Sequence, residues 1–218
     1  MDREIKEFLI GKGVDIVRFV DISSLPSDQT QGFETAIVFC MALSKDFITA
    51  VRNGETTGRD EFMDKELTTD KLADWLAEYI QSKGYRAFSQ SETSIEKCGN
   101  YDANTRTSRL PHKTIARLAG LGFIGKNNLL IMKEYGCGFS MCTVLTVAPI
   151  TTEKYPLITT NCGDCEICKN ICPTHAICGC EWSESCGRDA VLDVFKCTCV
   201  LKCVVNCPFT MKYALWPE

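Results

Sequence analysis

The chain has 218 residues, 45% apolar and 24% charged, the balance of a folded globular protein with room for one or two cores. A formal net charge of −4 offers no chain-wide basic surface for nucleic acid. Met1-Asp2-Arg3-Glu4 lacks the apolar run of an export signal, and the longest apolar stretch, around residues 139–150, is too short to span a bilayer, so a cytoplasmic protein with no membrane contact is expected.

Ile5, Phe8 and Leu9 share one stripe at helical spacing, and Gly11 and Gly13 end that helix. Residues 14–20 read as a strand. Residues 36–43 read as another, apolar on both faces and therefore central in a covered sheet. Leu72, Trp75, Leu76, Tyr79 and Ile80 follow helical spacing, with Gly84 as the stop; Trp75 and Tyr79 are expected to pack in the core. Residues 85–88, 129–132 and 139–147 supply further strands. Helices and strands interleave, so the fold class is α/β or α+β, a sheet covered by helices.

The 15 cysteines are spread unevenly. Cys40, Cys98, Cys137 and Cys142 precede the rest, which all fall between Cys162 and Cys207. That step in composition predicts two domains, residues 1–157 and 158–218. The second is short of apolar bulk and needs a staple such as metal.

Cys162, Cys165, Cys168 and Cys172, followed by Pro173, form C-x2-C-x2-C-x3-C-P, the run of bacterial ferredoxins. Three thiolates wrap one [4Fe–4S] cubane from a tight turn, and the fourth is carried toward a second cluster. Zinc also uses C-x2-C pairs, but has no use for the third cysteine or the C-P ending. Cys203-x3-Cys207-Pro208 repeats that ending, which makes Cys207 the fourth ligand of the first cluster. Cys172 and Cys203, with Cys197 and Cys199, are expected to hold the second. This set is irregular, because Val200 stands where a regular repeat has cysteine. Cys178, Cys180 and Cys186 are spare thiols, any of which could replace Cys197 or Cys199. His175 is expected to pack in the cluster loop.

Two clusters make an electron wire, and the wire needs a terminus. The sequence holds no dinucleotide fingerprint and no phosphate-binding loop of the nucleotide hydrolases. It does hold Ala119-Gly120-Leu121-Gly122-Phe123-Ile124-Gly125-Lys126-Asn127, whose glycines allow close backbone approach to something flat or anionic.

Leu110-Pro111-His112-Lys113, that glycine motif, Tyr135-Gly136 and the cysteine run together resemble the epoxyqueuosine reductases and, more distantly, the reductive dehalogenases. The family motif has Trp where this chain has Phe123. The resemblance implies a nitroreductase-like sheet domain that binds cobalamin, followed by a small two-cluster ferredoxin-like domain. Gly120, Gly122, Gly125, Lys126 and Asn127, with Met141 on the strand at residues 136–143, would then line the corrinoid, and Lys126 could hold a carboxamide or phosphate of its tail.

Where those reductases carry an aspartate as general acid, this chain has Arg106, which stays protonated and donates poorly. Their helical-repeat extension does not follow the cysteines here. Epoxyqueuosine reduction in tRNA is therefore not expected. His112 is the first candidate proton donor, with Tyr101 and Asp102 as alternatives. Three functions compete: a corrinoid-dependent reductase of a small molecule, a flavin-dependent reductase on the same scaffold, and an electron-transfer protein serving a partner such as a corrinoid protein. Each needs an electron donor of the ferredoxin or flavodoxin kind.

Overall fold

The computed structural model describes residues 1–55 and 60–215. In chain order the first elements are α1 (Asp2–Gly11), β1 (Ile16–Asp21), α2 (Ser27–Thr30), β2 (Thr35–Ala42), α3 (Lys45–Asn53), α4 (Glu61–Ser82), β3 (Ala87–Ser89) and α5 (Glu92–Lys97). Then follow β4 (Tyr101–Asp102), β5 (Thr107–Ser108), α6 (His112–Leu118), β6 (Phe123–Ile124), β7 (Leu130–Ile131) and β8 (Phe139–Thr146). The cysteine-rich end holds α7 (Ile167–Ile171), a 3-10 turn at Arg188–Ala190, α8 (Lys202–Val205) and α9 (Pro208–Leu215). No helix among the described residues is long and apolar enough to cross a membrane.

Helices and strands mix as the sequence pattern predicts, but the compact units do not follow one cut in the chain. Met1–Ala42, Phe62–Gly120 and Ser140–Pro156 form the first; Leu43–Glu61, Leu121–Phe139 and Leu157–Glu218 form the second. A boundary near residue 157 separates the chain by composition, whereas packing groups two upstream segments with the cysteines. The physical reason is apolar supply: Phe123 and Ile131 of the upstream segment share one small core with Val204 and Cys207.

The first unit is built on a four-stranded sheet in the order β1-β2-β8-β3. β1 runs antiparallel to β2, with Ile16 opposite Cys40, and β3 antiparallel to β8, with Ala87 opposite Thr146. β2 is buried from Ala36 to Ala42, as its unbroken apolar run requires of a central strand. α4 buries Leu72, Ala73, Leu76, Ala77 and Ile80 against Ile5, Leu9, Val17, Ile37 and Phe39. Trp75, expected in the core, is instead 37% exposed and stacks on Phe8 at 3.6 Å between ring centroids and on Tyr79 at 5.3 Å. Its position on the helix sets it at the rim of the stripe.

In the second unit β6 and β7 pair as a tight antiparallel hairpin, Phe123 opposite Ile131. A Cβ on Gly122 would lie 2.1 Å from the Ile131 carbonyl oxygen, and one on Gly125 would lie 2.3 Å from Ile131 Cδ1. Gly122, facing backbone, therefore needs glycine for the hairpin itself, whereas at Gly125 the tip of the Ile131 side chain would have to move. α3 starts on Ser44, whose hydroxyl accepts from the Phe47 N–H, and packs against α8 and α9. Phe123 meets Phe209 of α9 edge to face at 5.6 Å.

Candidate functional site

The site is a cavity of about 220 Å3 in the second unit, bordered by Cys162, Cys165, Cys168 and Cys207 together with Lys126, Asn127, Ile131 and Phe209. Three of the sulfurs come from one turn. The Cys165 N–H donates to the Cys162 carbonyl at 3.0 Å, and Gly163 takes a left-handed φ of +49° between them. α7 then carries Cys168, and Pro173 follows Cys172 where the helix ends. The fourth sulfur arrives from the start of α9, thirty-odd residues later in the chain than Cys172. The cavity is smaller than the roughly 300–1,000 Å3 of organic-ligand pockets, and its donor set is sulfur. It suits a compact inorganic group rather than a flavin or a corrinoid.

The electrostatics agree with that donor set. Burial pushes the Cys168 thiol up to about 11, with the Cys162, Cys207 and Cys165 sulfurs opposing its ionisation further. Cys162 is raised for the same two reasons, although the main-chain N–H of Lys126 favours its thiolate. Cys207 moves the other way. Cys137 donates a hydrogen bond to it, burial opposes ionisation, and the N–H groups of Phe209 and Thr210 favour it again. Sulfurs that resist becoming thiolates together are neutralised by a multivalent cation, so these residues fit an iron–sulfur centre. Among the described residues no three His, Cys, Asp or Glu are set to hold a single metal ion; the four cysteines border a space instead.

The cysteines expected at the second cluster are placed more loosely. Burial pushes Cys203 up to about 12, and its neighbours Cys197, Cys168 and Cys172 add to the shift. Cys197 and Cys199 stand with their sulfurs 3.9 Å apart, Cys199 exposed and at φ +51°. At Cys172 partial burial is outweighed by hydrogen bonds from Thr174 and from the N–H groups of Ala176 and Ile177, which favour the thiolate. Cys178 and Cys180 are exposed and Cys186 half-buried, in a segment bracketed by the Ile177–Leu192 bridge. His175 is exposed at φ +51° rather than packed, because its N–H turns back onto the Cys172 carbonyl.

The glycine motif behaves differently from its expected role as an open approach. The space a Cβ would take at Gly120 holds Tyr155 Cβ at 2.6 Å, and at Gly122 and Gly125 it holds Ile131. Lys126, expected on a cofactor tail, is 8% exposed, and its Nζ donates to the Gly163 carbonyl at 2.6 Å. Asn127 closes its own turn by accepting from the Leu129 N–H at 3.2 Å, and its amide lies 3.5 Å from the Cys137 sulfur. Cys137 was not singled out by the cysteine spacing. Its one signal is its place between Gly136 and Gly138; Gly136 lies tight against Thr210, whose hydroxyl is 3.4 Å from the Cys137 sulfur.

In the first unit, His112 opens α6 after Pro111, and its Nδ1 lies 2.8 Å from the hydroxyl of fully buried Thr143 on β8. Burial pushes its pKa down to about 4. At neutral pH it is an uncharged imidazole, suited to a hydrogen bond but a weak proton acceptor. Nearby, Gln90 donates through its N–H to the Thr143 carbonyl and through its amide to the Leu110 carbonyl. Gln90 Oε1 is buried here without a hydrogen-bond partner among the described residues; Ser140 Oγ, also without one, lies on the face of β8 opposite to Thr143 and half-buried Met141. The alternatives rank lower. Asp102 is exposed, and the Asn104 N–H and Thr105 hydroxyl hold its carboxyl below the usual range, while Arg106 sits at φ +50° in the same hairpin.

No family model matches the chain. The epoxyqueuosine reductase of Lactococcus garvieae is 37% identical over 97 residues, which are 43% of this chain and 27% of that protein. The chain's match thus spans well under half the length of the curated relatives. The solved epoxyqueuosine reductase of Streptococcus thermophilus aligns with 97% of this chain and 66% of its own, at a TM-score of 0.62 and 18% identity. A reductive dehalogenase whose structure suggests a mechanism for B12-dependent dehalogenation aligns with 79% of this chain at a TM-score of 0.58. The chain is similar in sequence to the epoxyqueuosine reductases over about half its length, and it shares their fold.

Proposed function

We propose that this chain is an iron–sulfur oxidoreductase that carries two [4Fe–4S] clusters and reduces a small molecule through a bound corrinoid. One observation carries the iron–sulfur half: Cys207 borders one cavity with Cys162, Cys165 and Cys168, the grouping that two interlocked ferredoxin half-motifs demand. Cys172, Cys197, Cys199 and Cys203 then hold the second cluster.

A corrinoid would supply a strongly reducing metal, and the protein's share is to bind it, orient it and manage protons. Gln90 Oε1 is a buried polar atom in need of a partner, and an amide group at a corrinoid edge would meet that need. His112, uncharged and fixed by Thr143, would offer a hydrogen-bond position beside it. Arg106 at the place of the family's aspartate argues for a substrate other than epoxyqueuosine.

A second reading has its own support. Gly120, Gly122 and Gly125 are filled by the chain's own side chains and backbone, which removes their argument for a cofactor approach and favours a protein that only passes electrons onward.

Anaerobically purified protein should contain about eight iron and eight sulfide per chain. Titration with cobalamin and, separately, with flavin should change the visible spectrum for cobalamin alone. Zinc without sulfide would overturn the iron–sulfur reading. Full clusters with no cobalamin or flavin retained would leave the electron-transfer function.

A further inference from the structure

Lys126 is a buried ammonium without a counter-ion. It is 8% exposed, and among the described residues its Nζ donates only to the Gly163 carbonyl, with no carboxylate at ion-pair distance. Glu166, which feels its charge, is held at 2.8 Å by Lys169. A buried charge is costly unless something of opposite sign sits beside it. The groups that share its cavity are four cysteine sulfurs, and four thiolates around an iron–sulfide core make an anionic centre.

Lys126 also touches the first ligand loop a second time. Its main-chain N–H favours the Cys162 thiolate, while its side chain ties down Gly163, the left-handed residue of the turn that presents Cys162 and Cys165. Hydrogen bonds to sulfur and local charge are two of the terms that set a cluster's reduction potential. One-electron reduction adds one negative charge to the centre, so a fixed cation beside it favours the reduced form.

The geometry points to Lys126 as the residue that sets the potential of the cluster held by Cys162, Cys165, Cys168 and Cys207, a positioning residue for that cluster rather than a clamp on a cofactor tail. The inference rests on the iron–sulfur reading above and takes nothing from the corrinoid.

The test is a redox titration with a chemical reductant, followed by electron paramagnetic resonance, on wild type, Lys126→Met, Lys126→Gln and Lys126→Arg. Iron and sulfide are counted in each. Loss of the ammonium should shift the reduction equilibrium of one cluster toward the oxidised form about tenfold, 59 mV for a one-electron couple, and leave the other cluster in place. The Arg variant should stay within half of that shift from wild type. An unchanged potential in cluster-replete Met or Gln protein overturns the inference, even though the clusters themselves stand. Loss of iron in both neutral variants with retention in the Arg variant reduces Lys126 to an anchor of the turn and also overturns it. Wild type without iron and sulfide fails the earlier reading instead, a result visible before any variant is made.

Discussion

The two units of this protein solve the same problem with different chemistry. The first buries a contiguous set of apolar side chains between a four-stranded sheet and α1 and α4, with Leu9, Ile37, Phe39, Leu76 and Ile80 fully enclosed. The second places one small cluster, Phe123, Ile131, Cys137, Val204 and Cys207, beside a cavity bordered by cysteines. Apolar burial contributes roughly 25 cal/mol per Å2, so the first unit has an adequate source of stability in its own side chains. The second buries apolar side chains too, Ile48, Leu130 and Val205 among them, and it also encloses thiols and a lysine. Its buried thiols stay protonated as bare protein and Lys126 is buried without a carboxylate; an iron–sulfide core would take the sulfurs as thiolates and set negative charge beside Lys126.

Iron removal tests that contrast most severely. Chelation under anaerobic conditions should abolish hydrogen-exchange protection throughout the second unit, in β6, β7, α8 and α9, and leave β2 and α4 protected. Cys165→Ser should do the same in part, with loss of about four of the eight irons. Protection that survives chelation in both units would mean that the second unit stands on apolar packing after all.

A smaller effect is expected where the second unit's packing is tightest. Gly122→Leu places a side chain where the Ile131 carbonyl already lies, at 2.1 Å from the first added carbon. The obstacle is backbone, which cannot rotate aside as a side chain can. Overpacking at yielding sites costs about 1–3 kcal/mol, and this contact should exceed the upper figure. Ile131 also borders the cysteine cavity, so the variant should lose iron as well as stability. Iron content equal to wild type, with a normal unfolding midpoint, would show that the hairpin can give way and that Gly122 serves an external ligand.

Periodicity made the first unit readable before its structure was known. The unbroken run at residues 36–43 is β2, and the spacing of Leu72, Leu76 and Ile80 is the buried face of α4. The spacing of Cys162, Cys165 and Cys168 likewise fixes a turn, because all three contacts are local. What spacing could not reveal are contacts between distant positions. The bond from Lys126 to Gly163 spans 37 residues, and that between the Cys137 N–H and Thr210 spans 73. Nothing in a lysine after a glycine says that it will be buried beside cysteines. The glycines misled for a related reason: the need for a bare backbone was legible, but whether a ligand or Ile131 supplies the close neighbour depends on the hairpin closing. α3 carried local signals that periodicity over a short window underweights, the Ser44 cap and Gly54 at φ +75°.

The smallest expected effect lies in the first unit, whose stability should depend on pH through His112. Burial beside Thr143 pushes its pKa from the ordinary 6.5 down to about 4. A group whose protonated form is disfavoured by folding binds its proton more readily in the unfolded chain. Stability linked to His112 is therefore complete above about pH 6.5 and declines as pH falls toward 4, because only the unfolded state charges in that interval. The full shift corresponds to about 3 kcal/mol, and since His112 is half-buried as a residue the realised loss should be roughly 1–3 kcal/mol. Hydrogen exchange in β8, measured on wild type and His112→Gln at pH 7 and pH 5, isolates the histidine, since the carboxylates titrate alike in both proteins. The wild type should lose protection between the two pH values by more than the variant does. Equal losses would place the imidazole in contact with solvent and withdraw it from the buried polar group formed with Thr143 and Gln90.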